Sequence, residues 1–354
     1  MSSVSVAPGP LAAPDDHNVV RGAKNVVTRC LCAARGERVH VLTYRADAIY
    51  DLIARQIDEA GAIPVRVSVD SMADESATVT DYTGRLARRM AGATASMLLA
   101  PVRPPAALSV AIAKTAESQG ARHLHLLQVD ERLLSLSVRA DPELLAIVNG
   151  RLRDALSPPS QVRVTSEAGT DLEARLALTN PILSSTGRPE PGTSENLPAG
   201  LVYTHPARVT GTLVVDRAIF GPGVNLDRAQ VRRAPARVVF AAGRVTTFEA
   251  ADAAVRQTLD TYLTSHNEAG RVGLLVFPTN YLARSDVGID RQDMLVPGIS
   301  ISLGYASPES GAKYEAPVQL VLLGRRQTVE VGGRKLVDAG RFDQALVEGI
   351  DPFR

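Results

Sequence analysis

Several groups of side chains could carry chemistry. His123 and His125 stand two apart in Arg122-His-Leu-His-Leu-Leu127, so on a strand both point to one face, the spacing of an imidazole metal pair. Asp130 and Glu131 are the only carboxylates near them in sequence, and a buried structural pair is the plainer reading. Tyr203 and His205 alternate in Leu201-Val-Tyr-Thr-His205, which offers a phenol donor and an imidazole base on one strand face. A strand-end histidine bonded to backbone fits the same pattern. Cys30 and Cys32 form a Cys-x-Cys pair, too close for an ordinary disulfide and too few for a zinc site. They read as small, buried apolar residues in a reducing compartment. No Gly-x-Ser-x-Gly elbow occurs, and neither cysteine lies beside a histidine, so no acyl-transfer nucleophile is marked.

These groups must be held by elements that a chain of 354 residues divides between about two domains. With 45% apolar and 22% charged residues the chain can bury a sizeable core. Its 39 basic and 38 acidic residues give a net charge of +1, which supplies no electrostatic footprint for nucleic acid or an anionic membrane. Aromatic residues are 4% and tryptophan is absent, which argues against base-stacking platforms. Residues 1–20 read as a disordered terminus with no secretory pattern, and apolar runs such as Val318 to Leu323 are far too short to span a bilayer. A cytoplasmic location is expected.

Residues 21–157 alternate short apolar runs with amphipathic stretches. Strands are expected at 38–44, 64–69, 95–100 and 122–127, with helices at 46–60, 82–90 and 107–119 between them. That order implies a parallel-sheet α/β domain, since parallel strands need crossover connections. It carries no Gly-x-Gly-x-x-Gly and no Walker sequence, so no nucleotide or other cofactor is assigned. After the Ser157-Pro-Pro-Ser160 break, residues 158–354 read as a strand-rich α+β domain with hairpin signals and one helix at 251–263. The Pro-, Gly- and Ser-rich stretch 181–198 reads as a mobile loop over the junction.

In the second half, Val164-Thr-Ser-Glu-Ala-Gly-Thr-Asp-Leu172, Asn196-Leu-Pro-Ala-Gly200, Gly211-Thr-Leu-Val-Val-Asp216 and Ile219-Phe-Gly-Pro-Gly223 come in a particular order. Thr279-Asn280, Ser302-Leu-Gly304, Ala316-Pro317 and Thr328-Val-Glu-Val-Gly-Gly333 follow. This series resembles the aminopeptidase T metallopeptidase family and its relative, 2,5-dihydroxypyridine 5,6-dioxygenase. Gly36-Glu-Arg-Val-His-Val-Leu42 and Glu59-Ala-Gly-Ala-Ile-Pro64 extend the resemblance into the first half.

The resemblance implies metal ligands at positions that here hold Leu201, Leu274, Ser300, Gln319 and Val321. Leucine and valine donate nothing to a divalent ion, and serine and glutamine are weak neutral ligands. The expectation is a divergent member with no metal at this site, repurposed for metal-independent chemistry on, or binding of, a small amino-acid-like or peptide-like molecule, in specialised biosynthesis. His205 and Tyr203 are then the catalytic candidates beside the inherited cleft, and Ser300, Ser302, Gln319, Asn280 and Tyr281 the substrate-binding ones. A non-catalytic pseudoenzyme acting through a partner, as in a dimer, is the second reading, and a true metallopeptidase the third. Expected partners are a small molecule or short peptide and a second copy of the chain, with no nucleic acid or membrane.

Overall fold

The computed structural model describes residues 16–157, 160–224 and 226–351. The apolar runs of the first half form the parallel strands Arg38–Thr43, Ile63–Ser68, Ala95–Ala100 and Arg122–Leu127. Ala95–Ala100 is buried at every position, as a central parallel strand covered on both faces must be. Helix Asp47–Glu59 buries Ile49, Ile53 and Ile57 as one stripe. Helix Val79–Arg89 opens on a capping box made by Thr78 and Asp81, and helix Ala106–Ser118 completes the crossovers. The strand order runs Ile63–Ser68, Arg38–Thr43, Ala95–Ala100, Arg122–Leu127 and then Ser194–Leu197, all parallel.

The other described strands form two antiparallel sheets. One runs in the order Arg244–Glu249, Ala236–Ala241, Pro206–Val215, Asp171–Leu176, Gln161–Thr165, Thr328–Val331, Arg334–Asp338 and Arg341–Phe342. The second runs Ala218–Phe220, Gln319–Leu323, Ser300–Gly304, Val272–Pro278, Leu201–Thr204 and Leu183–Ser185. Strict alternation of buried and exposed positions in Asp171–Leu176 marks a strand with one face on a core. That core is shared: Val164, Leu172 and Val238 of the first sheet cluster with Leu275, Ile301 and Leu322 of the second. The chain thus combines a parallel α/β layer with an antiparallel sandwich, as its pattern implies.

Three expectations are corrected. Residues 16–20, assigned to a disordered terminus, belong to helix Asp16–Asn25, which continues as a π-helical turn to Cys30. Val19, Ala23, Val26, Val27 and Cys30 recur at helical spacing and are buried, a stripe obscured by the Pro- and Gly-containing residues before it. Residues 1–15 of that expected terminus lie outside the described residues. The stretch 181–198 is no loose roof: it holds two short strands, one on the edge of each of two sheets. Because Ser194–Leu197 rejoins the parallel sheet, a single cut at 157 does not separate the two units. Helix Pro142–Ala155 spans them, with Leu145 in the α/β core and Leu152 in the sandwich core. Among the described residues, no helix is long and apolar enough to cross a membrane.

Candidate functional site

Alternation along the six-stranded sheet sends Val202, Leu275, Ile301, Leu320 and Leu322 into the sandwich core. Their neighbours line the opposite face. Leu201 lies opposite Ser185 and Pro278, Tyr203 opposite Leu183 and Val276, and Val276 opposite Ser300. Leu274 faces Ser302, which in turn faces Val321, and Gln319 is two residues before Val321. Directly opposed residues of antiparallel strands share a face. Leu201, Tyr203, Leu274, Ser300, Ser302, Gln319 and Val321 are therefore brought together on one side of this sheet.

The face is largely apolar. Leu274, Val276 and Ala306 bury one another, with Leu201, Tyr203, Ala312 and Tyr314 packed over them. Val321 clusters with Ala218 and Leu323 beside Phe220 and Met294. Polar groups are few and unequally engaged. Gln319 Nε2 donates to Ser302 Oγ at 3.1 Å, whereas the buried Ser300 Oγ has no hydrogen-bond partner among the described residues.

His205 sits at the edge of this face, half-buried, its ring 5.8 Å from that of Tyr314. Its Nδ1 lies 2.8 Å from the Gly273 carbonyl. A carbonyl oxygen only accepts, so Nδ1 carries a proton and Nε2 is the nitrogen with the lone pair in the neutral ring. That is the tautomer a general base needs. Tyr203 is held in its phenol form, its pKa pushed up to about 12 by burial and by the nearby Glu195 and Glu309 carboxylates and Tyr305. Tyr314 donates to the Gly304 carbonyl at 2.8 Å and lies under the Arg271 guanidinium.

Glu195 was not marked in the sequence. It stands on strand Ser194–Leu197, and its carboxylate accepts from the hydroxyl of Ser185, the residue opposite Leu201. Burial lifts its pKa to about 7, although the Ser185 hydroxyl and the Gly187 and Thr186 backbone N–H groups favour the charged form. A carboxyl poised near neutrality thus approaches the face from the neighbouring sheet. Its one sequence signal is adjacency to Asn196-Leu-Pro-Ala-Gly200.

Asn280 and Tyr281, expected to reach substrate, stand instead in the joint between the two units. Asn280 is fully buried, its Nδ2 donating to the carbonyls of Ser137 and Ala199 and its Oδ1 accepting from Leu282 N–H. With those bonds made, the amide has little left to offer a ligand. The Tyr281 hydroxyl accepts the Asp141 N–H at 2.7 Å. His123 and His125 lie on the parallel sheet, their rings 4.7 Å apart, with His123 Nδ1 paired to Ser96 Oγ at 2.7 Å. Burial holds both neutral; it takes His123 well below the usual imidazole range and His125, also near Arg291, down to about 3. Among the described residues, no three His, Cys, Asp or Glu side chains gather in a metal-binding arrangement.

The family model for 2,5-dihydroxypyridine 5,6-dioxygenase matches residues 19–271, well over half the chain. The chain belongs to that family. Among solved structures it is similar to 2,5-dihydroxypyridine dioxygenase from Pseudomonas putida KT2440, with a TM-score of 0.65 and 18% identity over 94% of this chain and 98% of that one. AmpT from Thermus thermophilus is similar too, with a TM-score of 0.64 and 14% identity over 92% and 99% of the two chains. At such identities the likeness establishes the fold. No curated protein matches the sequence. The order of motifs pointed to both relatives, and membership of the dioxygenase family gives the apolar face its interest.

Proposed function

We propose that this member of the dioxygenase family works without the metal its relatives imply, binding a small amino-acid-like or peptide-like molecule against the Leu201–Tyr203–Leu274 face. The observation that carries the reading is the joint occupancy of that face. The five positions where the resemblance implies ligands gather there, and they hold two leucines, a valine, a serine and a glutamine. A divalent ion needs three or more N, O or S donors at about 2 Å. Gln319 is engaged with Ser302, and Ser300 offers one neutral hydroxyl. This donor set does not fit a metal.

What the face can do follows from its remaining groups. In this reading His205 Nε2 accepts a proton and the Tyr203 phenol donates a hydrogen bond to developing negative charge. Glu195, chargeable near neutral pH, suits the ammonium of an amino-acid-like ligand, while the aromatic and aliphatic surface suits its side chain. Two unpaired cysteines, Cys30 buried as expected and Cys32 exposed against expectation, and the near-neutral charge fit a cytoplasmic protein without nucleic-acid partners. The mutual burial of Leu274, Val276 and Ala306 supports a second reading, a pseudoenzyme whose filled face serves a partner or a second copy of itself.

Purified protein incubated with Fe(II) or Zn(II) and desalted should retain well under one equivalent. It should turn over neither 2,5-dihydroxypyridine nor leucine p-nitroanilide. Titration of tyrosine fluorescence with amino acids and dipeptides should give saturable binding that His205→Ala and Tyr203→Phe weaken. Stoichiometric metal beside Leu274, Ser300 and Gln319 would overturn the metal-free reading; absence of any ligand response would leave the pseudoenzyme in its place.

A further inference from the structure

On another part of the molecule, turns from four places converge on an arginine-rich groove. Arg217 comes from the turn after strand Pro206–Val215, Arg284 from the loop after Val272–Pro278, Arg325 and Arg326 from the turn after Gln319–Leu323, and Arg341 from the last hairpin. These five line a cavity of about 490 Å³ with the carboxylates Glu167, Asp286 and Asp338. Two of the three acids are committed, and Glu167 is the one carboxylate of the groove without an ion pair among the described residues. Asp286 lies 2.9 Å from Arg217, 3.3 Å from Arg232 and 3.5 Å from Arg325, so one carboxylate serves three guanidinium groups. Asp338 pairs with Lys335 at 3.1 Å. Among the described residues, Arg284, Arg326 and Arg341 have no ion pair.

The backbone is bent to present these side chains. Arg326 has a φ of 47° and Ala339 one of 45°, in the left-handed region that side chains rarely adopt. Gly340, φ 82°, donates its N–H to the Gln327 carbonyl at 2.8 Å, and a Cβ on it would sit 3.4 Å from Arg326 Cα. Two turns are therefore locked together with unpaired arginines at their tips, and conformations of this kind cluster where ligands are held. Arg284, Gly340 and Arg341 also line a second cavity of about 500 Å³, whose other walls include Tyr281, Pro297, Phe342 and Ile350. A cationic pocket thus adjoins an apolar one across three shared residues.

We propose that this groove binds an amphipathic anion, its phosphate or carboxylate head among Arg284, Arg326 and Arg341 and its aromatic or aliphatic tail against Tyr281, Phe342 and Ile350. Guanidinium forks match both kinds of oxyanion, and five arginines against three carboxylates leave the groove net positive even with Glu167 counted. The groove shares no residue with the Leu201–Tyr203–Leu274 face, so the inference stands apart from the reading of that face.

The test is calorimetric titration of the full chain with phenyl phosphate, phenylacetate, inorganic phosphate and phenol. Phenyl phosphate or phenylacetate should bind at least tenfold more tightly than inorganic phosphate, phenol should not bind, and affinity should fall with added salt. Whichever of the first two binds more tightly identifies the head group. The double variant Arg284→Ala/Arg341→Ala, which removes no ion pair, should lose at least tenfold in affinity at an unchanged melting temperature. Arg55→Ala, on the exposed side of helix Asp47–Glu59, should lose none. Equal affinity for phenyl phosphate and inorganic phosphate, or unchanged affinity in the double variant, would overturn the proposal.

Discussion

Replacing Glu195 by glutamine should change how stability depends on pH, in a direction the burial of this carboxyl dictates. Its pKa rises from an ordinary 4.5 in the unfolded chain to about 7 in the folded one. Below pH 4.5 both states hold the proton and the group costs folding nothing. Between 4.5 and 7 the unfolded chain releases its proton while the folded one retains it, so stability falls with rising pH and levels off above 7. At about 1.4 kcal/mol per pH unit the full interval amounts to about 3 kcal/mol, somewhat less for a carboxyl that is only partly buried. Glutamine keeps the size and an acceptor for the Ser185 hydroxyl but never ionises. Thermal melts of wild type and Glu195→Gln from pH 4 to 9 should therefore match at the acid end, with the variant gaining a lead that is complete by about pH 8. Other raised carboxyls, such as Asp216 and Asp293, are common to both proteins and cancel in the difference. Parallel profiles, or a variant that weakens as pH rises, would refute the burial argument and point to a cation facing Glu195.

His123→Ala should lower stability by about 2–4 kcal/mol, since it opens a cavity and strands the Ser96 hydroxyl in the core, whereas His205→Ala should cost about 1 kcal/mol or less and instead weaken ligand binding. Chemical denaturation beside the fluorescence titration separates the two effects. Asn280→Ala should destabilise by about 2–4 kcal/mol, because it strands the Ala199 carbonyl and the Leu282 N–H and leaves the Ser137 carbonyl with the Ala140 N–H alone, and circular-dichroism melts would show it.

Short apolar runs alternating with amphipathic helices make the parallel layer legible. Ala95–Ala100 is apolar at five of six positions and Arg122–Leu127 alternates histidine with leucine, and the helical stretches between them mark both as strands of one parallel sheet. The strands Leu183–Ser185 and Ser194–Leu197 were not legible, because each is three or four residues long, half polar, and stabilised by the sheet edge it joins rather than by its own pattern. The gathering of Leu201, Leu274, Ser300, Gln319 and Val321 on one face was implied by the resemblance and follows from register. The approach of Glu195 was not, since it depends on where a neighbouring sheet ends. An amide in a turn looks the same in sequence whether it faces a ligand or a buried carbonyl, and that of Asn280 bonds the Ser137 and Ala199 carbonyls.

Within twenty-two residues the chain lays strand Leu183–Ser185 on the sandwich, Ser194–Leu197 on the parallel sheet, and Leu201–Thr204 back on the sandwich. One consequence concerns synthesis. While only the first 157 residues have emerged from a ribosome, Arg122–Leu127 is an open strand edge with unpaired amides, ready to pair with another nascent chain. The edge closes only when residues 194–197 arrive. A fragment ending at Ser157 should therefore aggregate where the full chain does not, and slowing translation between the codons for residues 157 and 197 should lower the yield of folded protein.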